Sequence, residues 1–347
     1  MPWGGHAEPS LPAAAASPLA SFVYRPAVQG DVKEPRNAPA RLRNNSPALA
    51  VSEVQVALLA WYRAHGRHAL PWRVRFDPYR ILVSEVMLQQ TQVERVVPKF
   101  ESFLELFPSF ASLAEAATAE VVRAWRGLGY NRRAVRLQAI ARAVVERHAG
   151  RLPSATEALL SLPGVGAYTA AALRAFAFDL DDAAVDTNVR RVVHRLAFGV
   201  EHPPRAGDRE LAVLALALVP GGIARDWNSA MMDLGATVCT ARVPRCTECP
   251  LRAQCAAAPL EAAALHTAAR ARPPRRGPQQ RLRFEATTRY ARGRIVDRLR
   301  ALAHGERVTI GELAALLGRD DVSALVEGLE RDGLATVDEG CVRLPAP

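Results

Sequence analysis

The sequence predicts an all-α protein that carries a small helix-and-strand module at its C-terminal end. Three observations lead to this fold class. Apolar residues recur at helical spacing from Val54 onward, short breakers containing Pro or Gly separate the apolar stretches, and the alternation typical of strands is nearly absent up to residue 260. The 347 residues leave room for two or three domains.

Helical patterns follow one another from residue 49 to 260, and we expect this range to form the main domain. Val54, Leu58, Trp61 and Tyr62 share one face of the first helix. A second apolar face is formed by Val93, Val96, Val97, Phe100, Phe103 and Leu104. Helices are separated by the breakers Phe107-Pro108, Gly127-Leu128-Gly129, Gly150–Pro153 and Pro163-Gly164.

The two ends of this helical range border stretches of different composition. Residues 1–48 are rich in Ala, Pro and Ser without a sustained period, which predicts a disordered tail. Residues 261–283 are rich in Pro and Arg, which predicts a basic linker suited to lie along a phosphate backbone.

Residues 284–347 predict a small separate module. Helical patterns over Arg289–Ala303, Ile310–Leu317 and Val322–Arg331 precede two alternating segments. The turn Asp338-Glu339-Gly340 joins these segments and indicates a hairpin. Three helices followed by a hairpin are typical of a winged helix, and a plain capping or docking domain is the alternative.

The chain is strongly basic, with 45 Lys and Arg against 35 Asp and Glu and a net charge of +10. This charge indicates a polyanionic partner, nucleic acid before acidic lipid. No apolar stretch is long enough to span a membrane, and the first 24 residues lack the basic start of a secretory signal. We therefore expect a cytoplasmic protein with no membrane partner. Nearly all basic residues are Arg, and the only lysines are Lys33 and Lys99.

Four of the five cysteines lie within 17 residues, which favours a metal site in a reducing compartment. One short Cys-x-x-Cys pair is flanked by two longer arms, a better fit to a [4Fe–4S] cluster than to zinc. We expect the cluster to pin its loop rather than to change oxidation state. A rigid cluster would also present Arg242 and Arg245 of the first loop to DNA phosphates. The four ligands are Cys239, Cys246, Cys249 and Cys255.

Two acidic residues stand out against the helical background. Glu85 is the single carboxyl in an otherwise hydrophobic helical stretch, and burial there raises a carboxyl pKa. Asp186 falls at the predicted start of a helix, where the helix dipole favours its ionised form. Such a protonated and ionised pair is used to cleave glycosidic bonds. Gly164 and Gly166 form a turn before a helix N-terminus, which suits a phosphate.

Several motifs occur together in one fixed order, and this ordered set is specific. With it, the chain resembles the helix-hairpin-helix DNA glycosylases of the endonuclease III superfamily, and the MutY-type adenine DNA glycosylases in particular, over residues 52 to 258. The motifs are Leu70-Pro71-Trp72-Arg73, residues 84–92 (SEVMLQQTQ), residues 127–130 (GLGY), residues 162–170 (LPGVGAYTA), Val185-Asp186 and the four cysteines.

The resemblance implies a two-lobed helical fold with the target base flipped into the cleft between the lobes. A six-helix barrel would span residues 75–180. The second lobe would combine residues 49–74 with 181–260 and carry the iron–sulfur loop.

The resemblance also assigns roles. Glu85 would protonate the adenine N7, and Asp186 would stabilise the sugar cation or add to it transiently. Tyr168 and Asn188 would position the sugar and the attacking water. Residues assigned to the base pocket are Trp72, Arg73 and Ser229, and those assigned to the gap left by the base are Gln89, Gln90 and Tyr130. For each of these side chains, packing in the core is the alternative, above all for Trp72.

The implied activity is excision, from double-stranded DNA, of adenine mispaired with 8-oxoguanine or guanine, by an enzyme that we expect to be a monomer. A thymine or uracil mismatch glycosylase shares the Tyr168 and Asp186 arrangement and is the alternative. A non-catalytic iron–sulfur regulator that binds DNA through the winged helix is a remote alternative. Strand-cutting relatives carry Lys where this chain has Tyr168, so we expect no Lys-based lyase step.

Three features depart from the family pattern. Ser229 stands where relatives often have Gln or Glu, and Asn131 replaces a frequent second aromatic residue. The 89 residues after Ala258 are too few for the Nudix-like domain that usually recognises 8-oxoguanine. The linker and the winged helix would then have to hold the opposite strand, or the preference for 8-oxoguanine is weaker.

Overall fold

The computed structural model describes residues 49–345, apart from 202–203, 205, 259 and 261–282. The predicted tail and nearly all of the predicted linker lie outside the described residues. In the part described before the linker, two 3-10 helices lie in the cysteine loop, Cys246–Glu248 and Arg252–Gln254. The α-helices of this part are α1 Val51–His65, α2 Pro71–Val74, α3 Pro78–Leu88, α4 Val93–Leu106, α5 Phe110–Glu115, α6 Thr118–Ala124, α7 Arg132–His148, α8 Thr156–Leu160, α9 Ala167–Phe178, α10 Thr187–Phe198, α11 Asp208–Ala217 and α12 Ala224–Thr237.

A first hydrophobic core is enclosed by α2 to α9. Its large, fully buried side chains include Leu82, Met87, Phe100 and Trp125. Trp72 belongs to this core as well, where its ring meets Phe100 edge to face at 5.5 Å. The structure therefore packs α2 with the barrel, whereas the sequence analysis placed residues 49–74 in the other lobe.

A second core lies between α1 and α10 to α12. Trp227 and Leu58 are buried at its centre, and Gln55 Nε2 donates to the carbonyl oxygen of Leu218 across it. The segment that precedes the barrel in the sequence and the segment that follows it thus combine into one lobe. None of the helices in the described part is long and apolar enough to cross a membrane.

The C-terminal module contains the three helices and the hairpin that the sequence predicts. They are α13 Thr288–Ala301, α14 Ile310–Leu317, α15 Val322–Arg331, β2 Thr336–Asp338 and β3 Cys341–Arg343. A further short strand, β1 Val308–Thr309, pairs antiparallel with β3 and gives the sheet order β1-β3-β2. Two residues are too short an alternation to be seen in sequence. Val122 of α6 joins the core of this winged-helix-like module.

Candidate active site

A cleft of about 770 Å³ is lined by residues of both helical lobes. The first lobe contributes Glu85 from α3 and Tyr168 from α9, and the second contributes Asp186 and Asn188 at the start of α10. All four predicted catalytic side chains therefore line the same cleft, although 103 positions separate the first in the sequence from the last.

Glu85 is the acidic residue of a helix that is buried over most of its length. Asp77 caps α3 by accepting the N–H of Arg80 at 3.0 Å, and residues 79–87 are buried apart from Arg80. Glu85 itself is 9% exposed. Burial is the main cause that raises its pKa to about 7, opposed by the hydrogen bond from Tyr168 and assisted by the charge of Asp186. Near neutral pH this carboxyl therefore holds a proton for a large part of the time.

Tyr168 is the contact that orients the Glu85 carboxyl. Its hydroxyl donates to Glu85 Oε2 at 3.3 Å, and burial raises the pKa of the tyrosine well above its usual value. The phenol therefore keeps its proton and remains a donor. Tyr168 bonds only Oε2 of Glu85, so the other carboxyl oxygen remains available to a ligand in the cleft.

Asp186 caps α10 with both carboxylate oxygens occupied by donors. Oδ1 accepts the backbone N–H of Asn188 at 2.8 Å and that of Val189 at 2.7 Å. Oδ2 accepts from Asn188 Nδ2 at 3.0 Å. Three donors and the positive end of the helix dipole stabilise the anion. The cleft thus contains one carboxyl whose pKa burial raises to about 7 and one that accepts three hydrogen bonds at a helix N-terminus.

The predicted hairpin joins α8 to α9. Gly164 has a φ of +74°, and a Cβ there would lie 2.3 Å from the Cδ of Arg136, so this position requires glycine. Gly166 caps α9 with extended backbone and a φ of −98°. Both glycines are exposed, so the N-terminus of α9 is open to a ligand at the surface.

Five of the residues predicted for the base pocket and for the gap left by the base line the cleft, namely Trp72, Arg73, Ser229, Gln89 and Gln90, whereas Tyr130 is not part of this lining. Trp72 both packs in the barrel core and lines the cleft. Arg73 forms a two-pronged pair with Asp233, at 2.7 Å and 3.1 Å. Ser229, 3% exposed, and Gln89 also line the cleft.

The four cysteines predicted as ligands line one small cavity of about 30 Å³ beside the second core. Burial raises the pKa of Cys249 to about 12, and Arg195 Nη1 lies 3.5 Å from the Cys239 Sγ. In the described part of the chain, no three Cys, His, Asp or Glu side chains converge as the ligands of a single metal ion.

Comparisons with known proteins identify the family. Residues 83–215 match the model of the HhH-GPD superfamily base excision DNA repair proteins. An adenine DNA glycosylase of Mycolicibacterium smegmatis is 43% identical over 71% of this chain and 80% of its own length. The chain belongs to the adenine DNA glycosylases. One from Mycobacterium tuberculosis is 41% identical over 79% of this chain and 84% of its own length. The family predicted from the sequence motifs is confirmed.

A solved structure of a thermostable thymine-DNA glycosylase confirms the fold. It superposes with a TM-score of 0.56 at 33% identity, and it covers 60% of this chain and 96% of its own. The helix-hairpin-helix glycosylase fold is therefore shared by enzymes named for different bases, and the base must be argued from the site.

The sequence analysis of this glycosylase missed the residues that hold the site together. Asp233 is fully buried and accepts from Arg67 and Arg73, which holds the Arg73 guanidinium in place at the cleft. Arg191 donates to Asn188 Oδ1 at 2.8 Å and to the carbonyl oxygen of Cys239 at 2.8 Å, which connects α10 with the cysteine loop. The pairs of Asp233 with Arg67 and Arg73, and of Arg191 with Cys239, join residues more than forty positions apart, and such pairs leave no local sequence signal.

Helices α10 and α12 approach each other closely behind the Asp186 carboxylate. A Cβ at Gly235 of α12 would lie 2.7 Å from the Cβ of Asn188 and 3.3 Å from its Cα. Backbone cannot move as a flexible side chain does, so only glycine fits this crossing. Nothing in the sequence around Gly235 indicates that two helices cross there.

The two loop arginines expected to face DNA are not equivalent in the structure. Arg242 is exposed. Arg245 is also exposed, but it pairs with Glu248 at 3.2 Å and donates to the carbonyl oxygen of Thr237. The carboxylate offsets its charge, which makes Arg242 the better placed of the two for a phosphate.

Proposed function

We propose that this glycosylase hydrolyses the glycosidic bond of an adenine nucleotide that has rotated out of duplex DNA, where adenine is mispaired with 8-oxoguanine or guanine. The observation that carries the proposal is the meeting of Glu85 and Asp186 in one cleft, since one carboxyl is protonated for a large part of the time near neutral pH and the other accepts the backbone N–H groups at the start of α10. This is the pairing that glycosidic bond cleavage requires.

Each carboxyl has a defined task in this proposal. Glu85 donates its proton to N7 of the bound adenine, which makes the base a neutral leaving group. As the bond lengthens, positive charge develops on the sugar, and the Asp186 carboxylate stabilises it. Asn188 and the Tyr168 hydroxyl, which are bonded to these two carboxyls, orient the sugar and the attacking water.

Excision of thymine or uracil is the second candidate, favoured by the likeness to the thymine-DNA glycosylase. A pyrimidine has no N7 to receive the Glu85 proton, so the buried acid favours a purine. A role as a DNA-binding regulator without catalysis would not require a carboxyl whose burial raises its pKa to about 7.

A panel of labelled duplexes carrying A:8-oxoguanine, A:G, T:G and U:G tests the proposal. Single-turnover incubation with excess protein, followed by alkali, converts each excised base into a strand break. We expect cleavage of the adenine strand in the first two duplexes and intact thymine and uracil strands. Breaks confined to the T:G and U:G duplexes would show that the substrate is a pyrimidine rather than adenine. The absence of breaks in all four duplexes would show a protein that binds DNA without excising a base.

We expect a monofunctional enzyme, because lysine is absent from the described cleft lining. Lys99 lies on α4, its Cε near Gly127, and Lys33 lies outside the described residues. Without an amine, no Schiff base with the sugar can form. Borohydride added during excision should therefore trap no covalent protein–DNA adduct, while the breaks still require alkali. A trapped adduct would overturn this prediction.

We propose that Cys239, Cys246, Cys249 and Cys255 hold a [4Fe–4S] cluster, since they line one cavity. When bound, the cluster supplies a rigid cross-link between the two arms of the loop. Arg195 connects this loop to α10 through the carbonyl oxygens of Thr240 and Ala241. The cluster would thereby fix the loop that carries Arg242.

A further inference from the structure

Three basic side chains converge on the turn that follows α6. Arg95 and Lys99 are four positions apart and therefore lie on one face of α4. Arg95 Nη2 donates to the carbonyl oxygen of Gly127, and Lys99 Cε lies 3.7 Å from the position that a Cβ on Gly127 would take. Arg126 directly precedes this glycine in the sequence. We call Arg95, Lys99 and Arg126 the cation cluster.

The charge of the cation cluster is not offset by ion pairs within the described chain. Arg95 and Arg126 are exposed and Lys99 is half-buried, yet no acidic side chain of the described residues pairs with any of them. By contrast, Arg80 of the neighbouring helix α3 pairs with Glu101 at 3.0 Å. The cation cluster therefore presents a concentrated positive charge to the solvent, and an anionic partner can reach it.

The cation cluster adjoins the mouth of the cleft. Residues 89–93 line the cleft and lead directly into the first turn of α4, which carries Arg95. Thr91 Oγ1 donates to the carbonyl oxygen of Leu128 at 3.2 Å, and this bond joins the cleft lining to the turn that contains Arg126. The three cations are thus attached to the same chain segments that form one edge of the cleft.

We propose that the cation cluster binds backbone phosphates of the DNA duplex beside the extruded nucleotide. The inference rests on the proposed function, since it takes the cleft as the site of that nucleotide. An extruded nucleotide stays joined to its strand on both sides, so the duplex has to pass the mouth of the cleft. Lys and Arg side chains that reach its phosphates add affinity without reading the base sequence.

Two members of the cluster separate phosphate binding from support of the turn. Arg95 bonds the backbone of the turn, so its loss could shift the chain locally. Lys99 and Arg126 donate no side-chain hydrogen bond within the described part of the chain, and Lys99→Gln and Arg126→Gln remove only their charge. The control is Arg151→Gln, at an exposed arginine beyond the far end of α7. This helix has 17 residues and is therefore about 25 Å long.

The salt dependence of binding tests the proposal on a duplex that cannot be cleaved. One probe contains 2′-fluoro-deoxyadenosine, which resists glycosidic cleavage, opposite 8-oxoguanine, and the other is a matched A:T duplex of the same sequence. Lys99→Gln and Arg126→Gln should each lower the slope of log Kd against log salt by about 0.9, the value for one phosphate contact. The ratio of the variant Kd to that of the unchanged protein should thus fall about threefold between roughly 50 and 200 mM salt, equally on both duplexes. Arg151→Gln should leave the slope unchanged.

Neutral methylphosphonate linkages distinguish direct contact from a general effect of charge. They are introduced one at a time on either side of the fluorinated nucleotide. At the contacted phosphate, the linkage should weaken binding of the unchanged protein and have no further effect on the variant that lacks the contacting cation.

An unchanged slope in both variants, a loss confined to the mismatched duplex, or the same methylphosphonate penalty in variants and unchanged protein overturns the proposal. Excision on the mismatch panel tests the proposed function separately. Because the matched duplex has no base to excise, the slope measured on it does not depend on the outcome of that panel.

Discussion

Replacing Glu85 with glutamine is expected to lower the single-turnover rate of adenine excision by roughly a thousandfold, the usual scale for losing a general acid. Glutamine has nearly the same shape and can still accept from the Tyr168 hydroxyl, but it has no proton to give to N7. The measurement is excision from an A:8-oxoguanine duplex with enzyme in excess. Glu146→Gln, at an exposed carboxyl on α7, is the matched control and should excise at the normal rate.

The same carboxyl predicts the pH profile of the unchanged enzyme. Because its pKa is about 7 and the protonated form is the active one, the excision rate should fall about tenfold per pH unit above that value. The residual rate of Glu85→Gln should show no such decline. A full rate retained by Glu85→Gln, or a rate in the unchanged enzyme that rises through pH 7 to 9, would remove the acid role of Glu85.

The Glu85→Gln substitution should raise the stability of the folded protein although it lowers the excision rate. In the unfolded chain Glu85 ionises near pH 4.5, whereas in the folded protein it stays neutral up to about pH 7. Folding is therefore opposed as pH rises from 4.5 to 7, and the full cost, about 3 kcal/mol, is present above pH 7. Glu85→Gln should thus be the more stable protein at pH 8 in denaturant unfolding, with the gain disappearing below pH 4.5.

The elements that the sequence predicted well are those specified by local patterns. Glu85 could be found because it is a single carboxyl among apolar residues, and Asp186 because it directly precedes a helical pattern. The hairpin glycines and the three helices of the module have equally local signals. In each case the residue type and its near neighbours already determine the backbone or the burial.

The contacts that shape the site come from distant parts of the chain and were not predictable. Asp233 meets Arg67 across 166 positions, and Arg300 meets Asn131 across 169. Arg133 is a buried arginine that donates to the backbone carbonyl oxygens of Val86 and Met87, and any sequence offers such acceptors everywhere. The packing of Trp72 with the barrel is of the same kind, since an apolar residue between two lobes can join either core. Tertiary geometry decides such partners.

Replacing Asp186 with asparagine is expected to reduce excision by roughly a thousandfold while leaving the fold intact. The amide oxygen of asparagine can still accept the N–H groups of Asn188 and Val189, and asparagine is as good a helix cap as aspartate. The negative charge that faces the developing sugar cation is lost, however, and preorganised charges of this kind have effects of about this size. Single-turnover excision and denaturant unfolding measure the two consequences on the same protein.

Asp77→Asn is the control that separates charge from capping. Asp77 caps α3 through the same kind of backbone hydrogen bond, but it is not among the residues that line the cleft. If Asp186 acted only as a cap, both variants would keep the excision rate and differ from the unchanged protein by at most about 1 kcal/mol in unfolding free energy. Both variants keep the capping hydrogen bonds and lose the negative charge, but only Asp186 lines the cleft. Loss of excision in Asp186→Asn alone, at unchanged stability, therefore assigns the effect to the charge of the carboxylate in the cleft.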